Sequence, residues 1–163
     1  MNNPNQLSRV VAKTDKLPKA LRRAAITAAF TYRVKFAGTG GIRFEELGEG
    51  RAVLNIRNRK KVQNHIGGVH AAAMALLAET ATGAVLGMNV PDSHIPMLKS
   101  MHINYVRRAQ GDLRAEATLD ASQREMIRTQ EKGDLAVPVK VTDSNGDEPI
   151  QCEFVWAWVP KRR

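Results

Sequence analysis

Cysteine is almost absent from this chain of 163 residues, in which Cys152 is the only one. A single thiol cannot form an intramolecular disulfide, and it cannot hold a zinc ion by itself. The HExxH spacing of zinc proteases, a phosphate-binding loop and a dinucleotide-binding glycine motif are missing as well. We therefore expect a protein of the reducing cytoplasm that has neither a metal ion nor a bound cofactor.

Aromatic and acidic residues are also scarce. Aromatic residues make up 5% of the chain, and no basic face interleaved with aromatic side chains is visible, which argues against nucleic-acid binding. The 16 acidic residues face 25 Lys and Arg, so the formal net charge is +9. This balance favours an anionic partner such as anionic lipid or a phosphate-bearing ligand.

The composition is that of a folded protein, with 43% apolar and 25% charged residues. We expect one domain over residues 1–163, with an N-terminal polar segment and helix in 1–36 and the core in 37–163. Residues 1–16 are polar and aperiodic, which predicts a frayed end. The acid-poor start lacks the apolar core of a secretory signal, and an organelle transit peptide is disfavoured. A basic amphipathic helix that packs on the domain is then predicted, with Pro18 in its first turn and an apolar face of Leu17, Leu21, Ala25 and Ala28.

Alternating apolar residues predict about six β-strands. Residues 42–47 and 51–57 form a hairpin through Gly48 and Gly50. A strand over 97–106 follows later in the chain, and 144–147 is the turn between the last two strands. The remaining predicted strands cover 113–119, 135–141 and 150–158.

The stretch 69–88 between these strands is rich in alanine and apolar almost all the way round, which predicts a helix that is buried on every side. It is too poor in bulky aliphatic residues to be a membrane span. Pro91 and Pro96 predict an irregular loop after it. The pattern predicts an α+β fold in which a curved antiparallel sheet of five to six strands wraps round a long central helix. Since one sheet covers only part of a helix, we expect a second subunit to cover the rest.

Glu79 is the only formally charged side chain between Val62 and Pro91. A carboxylate in apolar surroundings is costly unless it is paired or hydrogen-bonded, so it is either a structural anchor or a functional group. The residues 64–70, Asn-His-Ile-Gly-Gly-Val-His, lead into the helix, whose first N–H groups have no helical partner. Small residues in the first turn would let a carbonyl oxygen approach those N–H groups.

The stretch from Asn64 to Glu79 resembles the signature of the hotdog-fold acyl-CoA thioesterases of the phenylacetate type. Asn64, His70 and Glu79 fall on the family's Asn, His and acidic positions, and residues 99–105 with Gly111-Asp112 are similar to its strand after the helix. The N-terminal helix is similar to that of a less-characterised branch of thioesterase relatives. The resemblance implies a thioesterase that hydrolyses an acyl-CoA or an acyl-carrier-protein thioester.

The resemblance also implies roles for individual residues. The N–H of Ala71 would polarise the thioester carbonyl, Glu79 would act as general base or nucleophile, and Asn64 would position water. His65, Gly68 and His70 would contact substrate, with His70 also shaping the loop. Two positions depart from the family pattern, because Ala71 replaces the usual Gly and Leu98 replaces a hydroxyl found in some members.

Helix geometry predicts a two-chain site. His70 and Glu79 lie nine residues apart, which places them about 13 Å apart on opposite faces of a helix. If the helix start and the carboxylate share a site, Glu79 comes from a partner chain in a twofold dimer, alone or in a dimer of dimers. Arg107, Arg108, Lys60 and Lys61 are candidate contacts for the phosphates of coenzyme A, or for an acidic carrier protein.

Two other functions remain open at this stage. The 14-residue spacing of His65 and Glu79 is similar to that of hotdog-fold 3-hydroxyacyl-thioester dehydratases, although these have Pro-Gly where this chain has residues 72–74, Ala-Ala-Met. A hotdog domain could also bind acyl thioesters without turning them over.

Overall fold

A computed structural model describes residues 4–162 of the chain. Its helices are α1 (Gln6–Lys13), α2 (Lys19–Arg33), α3 (Lys35–Gly40), α4 (Ala71–Gly87) and α5 (Ala121–Thr129), with a short 3-10 helix at Lys60–Val62. Its strands are β1 (Arg43–Leu47), β2 (Arg51–Ile56), β3 (His94–Tyr105), β4 (Leu113–Thr118), β5 (Gly133–Ala136), β6 (Val139–Asp143) and β7 (Ile150–Pro160). The fold is α+β with antiparallel sheets and a central helix, as the sequence predicts.

The strands form two antiparallel sheets rather than the single sheet predicted. One has the order β1-β2-β4-β6, and the other has the order β3-β7-β5. The predicted strand over 135–141 is split, because Pro138 has no N–H to donate to a ladder. At this point the chain changes sheets: the N–H of Val137 donates to Phe154 in β7, while the carbonyl of Pro138 accepts from Thr118 at the end of β4. One continuous segment thus joins the two sheets.

The predicted apolar faces of the strands form the core. Residues 52, 54 and 56 of β2 are buried, as are 113, 115 and 117 of β4 together with Leu119. Phe154, Trp156 and Trp158 of β7 are buried too, and Cys152 beside them is half-buried. The hairpin between β1 and β2 forms where it was predicted, and so does the turn at 144–147, where the N–H of Gly146 donates to the carbonyl of Asp143.

Helix α4 is the centre of the fold and packs against strands of both sheets. Most of its residues from Met74 to Leu86 are buried, in agreement with its lack of an amphipathic pattern. Its first turn is exposed at Ala71 and Ala72. The sheets leave part of the surface of α4 uncovered, and helices of the same chain cover some of it. From the sequence we expected a second subunit to cover this surface.

The prediction of a frayed N-terminus is wrong for the described residues, because helix α1 forms there. Asn5 caps α1 by accepting from the N–H of Ser8, and its Nδ2 donates to the carbonyls of Gly87 and Val90, both at 2.7 Å. Arg9 pairs with Asp92 at 2.9 Å. These partners lie at and beyond the end of α4, so a search for periodicity within residues 1–16 could not find them.

Helix α2 begins after Pro18, as predicted, but packs with a different face. Leu17, Leu21 and Ala28 are exposed. Ile26 is buried instead, and the ring of Phe30 lies 4.8 Å from that of Phe44, centroid to centroid. The hydroxyl of Thr27 accepts from the N–H of Phe44 in β1. No helix within residues 4–162 has the length and apolarity needed to cross a membrane.

Three other elements differ from the prediction. Helix α5 was not predicted, although Asp120 and Gln123 form a capping box that is visible in the sequence. Helix α3 was also missed. Pro96 lies within β3 rather than in a loop, which is possible because β3 is the edge strand of its sheet.

We predict that Asn5→Ala lowers the free energy of unfolding by about 2 kcal/mol, because the change removes a helix cap and two hydrogen bonds, one of them buried and the other partly buried. The thermal midpoint should fall by about 4–8 °C. Asn145→Ala is the matched control, since Asn145 is exposed and only its backbone N–H is hydrogen-bonded. Equal midpoints for the two variants would show that Asn5 does not anchor α1.

Candidate active site

The start of α4 presents a free backbone donor. The Nδ1 atom of His70 accepts from the N–H of Ala72 at 3.0 Å, which fixes the imidazole as the cap of the helix. The N–H of Ala71 has no acceptor among residues 4–162. The hydroxyl of Tyr105 donates to the carbonyl of Ala71 at 3.0 Å and so ties this turn to β3. An exposed N–H at a helix start can stabilise an oxyanion.

The loop before the helix is folded around Asn64. Its Oδ1 atom accepts from the N–H groups of Ile66 and Gly68, both at 3.1 Å. Since both partners are donors, the oxygen must face the loop, and Nδ2 is left without an acceptor in the described chain. Asn64 can therefore donate to a water molecule or a substrate atom. Gly68 is buried in this loop, whereas His65 is exposed.

The two predicted arginines have different surroundings. Arg108 donates to the carbonyl of Ile66 at 3.0 Å and lies at the loop. Arg107 pairs with Asp147 at 2.7 Å, on the turn between β6 and β7. Half of the side chain of each partner in that ion pair is exposed. The charge of Arg107 is thus partly neutralised by a neighbouring carboxylate, while the hydrogen bond to Ile66 holds Arg108 beside the start of α4.

Glu79 projects from α4 into a less polar environment. It is half-buried, and burial raises the pKa of its carboxyl, an effect that a hydrogen bond from Thr80 at 3.4 Å partly opposes. It forms no ion pair within the described residues. The structural-anchor role considered for Glu79 would require a strong partner, and Thr80 alone supplies a long hydrogen bond. A carboxyl with a raised pKa is suited to proton transfer near neutral pH.

Glu79 lines a cavity of about 620 Å³. The cavity lies between α4 and the N-terminal helices, and its far side is formed by the two sheet residues Pro96 and Trp156. Most of its walls are apolar. The lining residues are Gln6, Leu7, Val10, Ala29, Phe30, Tyr32, Arg33, Val34, Glu79, Thr80, Gly83, Gly87, Pro96 and Trp156.

The predicted site residues thus fall into two groups. Asn64, Gly68, His70, Ala71 and Arg108 come together around the start of α4, with His65 exposed on the same loop. Glu79 lies eight residues along the helix from Ala71, which corresponds to about 12 Å. Within one chain the carboxylate and the helix start do not share a site.

Sequence reasoning missed several residues around both groups. Tyr105 was included in the similar strand but given no role at the helix start. The contribution of α1 and α2 to the Glu79 cavity was not foreseen either. Gly83 could have been noticed in the sequence, because a glycine within a helix lowers stability and therefore suggests close packing at that position. In the structure a Cβ on Gly83 would lie 2.7 Å from the Trp156 ring.

Residues 22–159 match the family described as a domain of unknown function, DUF4442. No curated protein matches the sequence. A probable thioesterase from Pseudomonas aeruginosa is 27% identical in a superposition that covers 89% of this chain and 97% of that protein, with a TM-score of 0.75.

Two more distant structures share the fold. A thioesterase from Haemophilus influenzae is 13% identical over 77% of this chain and 82% of its own, with a TM-score of 0.63. A thioesterase family protein from Silicibacter pomeroyi is 13% identical over 83% of this chain and 96% of its own, with a TM-score of 0.64. The resemblance to hotdog-type thioesterases found in the sequence is thereby confirmed.

The environment of Glu79 predicts a stability effect with a definite sign. Because burial raises its pKa above the ordinary 4.5, the ionised carboxylate opposes folding at neutral pH, and this penalty disappears below pH 4.5. Glu79→Gln should therefore unfold at a higher urea concentration than the wild type at pH 7. The gap should close as the pH falls toward 4.5.

Glu116→Gln is the control of opposite sign. Hydrogen bonds from Arg51 and Arg114 lower the pKa of Glu116 to about 2, so its carboxylate stabilises the fold above pH 4.5 and loses that effect toward pH 2. This variant should be less stable than the wild type at pH 7. A Glu79→Gln protein that is also less stable at pH 7 would contradict our description of the Glu79 environment.

Proposed function

The chain belongs to the DUF4442 family of thioesterase-like domains, and from this membership we propose that it hydrolyses the thioester of an acyl-CoA or an acyl carrier protein to a free acid and a thiol. The observation that carries the proposal is the half-buried Glu79 carboxyl at an apolar cavity. An acyl substrate needs both features, an apolar space for its chain and a proton acceptor at its carbonyl.

The chemistry assigns one role to each group. A water molecule attacks the carbonyl carbon, Glu79 takes its proton, and the resulting oxyanion accepts from the N–H of Ala71. The carbon–sulfur bond then breaks, and Glu79 returns the proton to the thiolate. Glu79 can instead attack the carbonyl carbon itself and expel the thiolate. Water then hydrolyses the resulting acyl-glutamyl anhydride to the free acid and the Glu79 carboxylate, and the proton released passes to the thiolate. Both routes require the ionised form of Glu79. The free Nδ2 of Asn64 holds the water.

A homodimer supplies the geometry that one chain lacks. The long edge strand β3 supports it, since no strand among residues 4–162 pairs with its outer edge. Exposed apolar side chains follow that strand at Ile95, Met97, Met101 and Tyr105. Such an edge needs a cover in solution. In a twofold dimer with antiparallel α4 helices, Glu79 of one chain faces Ala71 and Asn64 of the other.

The basic residues near the helix start suit the phosphates of coenzyme A or an acidic carrier protein. Arg108 lies at the loop, and Lys60 and Lys61 are exposed on the 3-10 helix that precedes it. Arg107 would add to this group by exchanging Asp147 for a phosphate oxygen. His65 and His70 line the same approach.

Activity should depend on the ionisation of Glu79. We expect free thiol to be released from acyl-CoAs at a rate that rises with pH above 4.5, the ordinary carboxyl value, because burial raises the pKa of Glu79. Glu79→Gln should lower kcat at neutral pH by about 100-fold or more. The assay is thiol release from a series of aliphatic and aromatic acyl-CoAs.

Glu125→Gln serves as the matched control, because Glu125 is exposed on α5. A rate that does not change with pH would remove Glu79 as base or nucleophile. Formation of a conjugated alkene without free thiol would identify a dehydratase. Tight binding with no turnover of any acyl-CoA would identify a binding protein.

The two-chain site predicts complementation between inactive variants. Asn64→Ala and Glu79→Ala should each lose most activity as homodimers. In a heterodimer one site carries both changes and the other carries neither, so random exchange between equal amounts should restore about a quarter of wild-type activity. A heterodimer confirmed by mass, with activity no higher than either parent, would contradict a site built from two chains.

A further inference from the structure

We propose that helix α1 forms the end wall of the acyl-binding cavity, and that its residues Leu7 and Val10 limit the length of the aliphatic chain that fits. This inference rests on the proposed function for the nature of the ligand. It assigns a specificity role to a segment outside residues 22–159, the part of the chain that matches the family. Both side chains are half-buried and line the cavity.

The cavity extends along one face of α4. Glu79, Gly83 and Gly87 line it at successive four-residue steps, so they lie on the same face of the helix. From Glu79 to Gly87 the helix rises about 12 Å. Leu7 stands at the far end, where a Cβ on Gly87 would lie 3.5 Å from its Cδ2 atom. A chain whose thioester is at Glu79 therefore runs toward α1.

The side of the cavity opposite α1 and α2 is fixed. The indole of Trp156 donates to the hydroxyl of Thr82 at 2.9 Å, and the absence of a side chain at Gly83 leaves room for the ring. Trp156 thus cannot move outward without losing a buried hydrogen bond. Helices α2 and α4 and the sheet form the side walls of the cavity, while α1 closes its end.

Helix α1 is held firmly enough to act as a wall. Asn5 binds the carbonyls of Gly87 and Val90, and Asp92 accepts from the N–H of Gln6 at 2.8 Å and from Arg9 at 2.9 Å. These contacts connect α1 to the end of α4 and to the loop that follows. The position of Leu7 relative to Gly87 is therefore a property of the fold rather than of a free N-terminal segment.

The lining indicates an unbranched aliphatic ligand. A volume of about 620 Å³ lies within the range of small-molecule sites. Between Glu79 and α1 the lining residues of α4 are the glycines Gly83 and Gly87, whereas the polar lining side chains of α1 and α2, those of Gln6, Tyr32 and Arg33, are exposed. Transfer of a hydrocarbon chain from water to this mostly apolar cavity is favourable.

The experiment places tryptophan on the proposed wall. Leu7→Trp and Val10→Trp should lower kcat/KM for decanoyl-CoA by about tenfold or more while leaving butanoyl-CoA within about twofold, because an extended ten-carbon chain spans the distance from Glu79 to α1 and a four-carbon chain does not reach it. Leu7→Ala and Val10→Ala should shift the preference toward longer chains. Ala12→Trp is the matched control, since Ala12 is exposed on the same helix and does not line the cavity.

A binding measurement separates this proposal from the proposed function. S-decyl-CoA is a thioether that cannot be hydrolysed, and its affinity is measured by calorimetry for the same variants. One outcome is that the wild type binds the thioether and Val10→Trp weakens that binding, while no thioester is hydrolysed. That result would support the role of α1 as the end wall and contradict the thioesterase proposal. If thioesters are hydrolysed but the variants on the wall behave like Ala12→Trp at every chain length, the end wall is overturned. Failure of the wild type to bind S-decyl-CoA would overturn it too.

Discussion

The burial of α4 is the constraint on which the rest of the structure depends. The helix is built from small and apolar residues, and Ala78, Ala81 and Ala84 are completely buried in it. Small side chains allow strands of both sheets to approach its backbone closely. An apolar helix without a polar face needs cover on every side. The sheets provide that cover on one side, and α1, α2 and α3 provide part of it on the other.

Glu79 is the one charged residue of α4, and it lies beside the cavity. A carboxylate at this position cannot be packed against apolar groups without a large cost, so the structure leaves space beside it. The same burial that opposes its ionisation makes it a stronger proton acceptor than an exposed glutamate would be. Because this carboxylate opposes folding and borders a mostly apolar cavity beside α4, we attribute its presence to the proposed chemistry and not to packing.

Local sequence patterns predicted the elements that bury regular faces. The alternation in β2, β4 and β7 and the apolar stretch of α4 carried enough signal to place the core. The errors came from interactions that a local pattern does not contain. Helix α1 depends on carbonyls of Gly87 and Val90, the face of α2 depends on Phe44, and the split between β5 and β6 depends on which sheet each side of Pro138 joins.

The site followed the same division. Asn64, Gly68, His70 and Ala71 are close in sequence, so the loop motif and its resemblance pointed to them together as candidates. The cavity at Glu79 joins residues from five separate elements, α1, α2, α4, β3 and β7, and no spacing in the sequence connects these. Tyr105 was missed as a contact of the helix start for the same reason, since its partner Ala71 lies 34 residues away.

The attachment of α1 to the end of α4 also affects how the protein is made. Asn5 leaves the ribosome before its partner Gly87, which follows 82 residues later. An isolated helix of eight residues is not stable in water, and during that interval α1 lacks the carbonyls of Gly87 and Val90 that anchor it. At the usual rate of synthesis the delay lasts about 4–16 seconds. The basic N-terminal segment is therefore synthesised well before the end of α4 that anchors it.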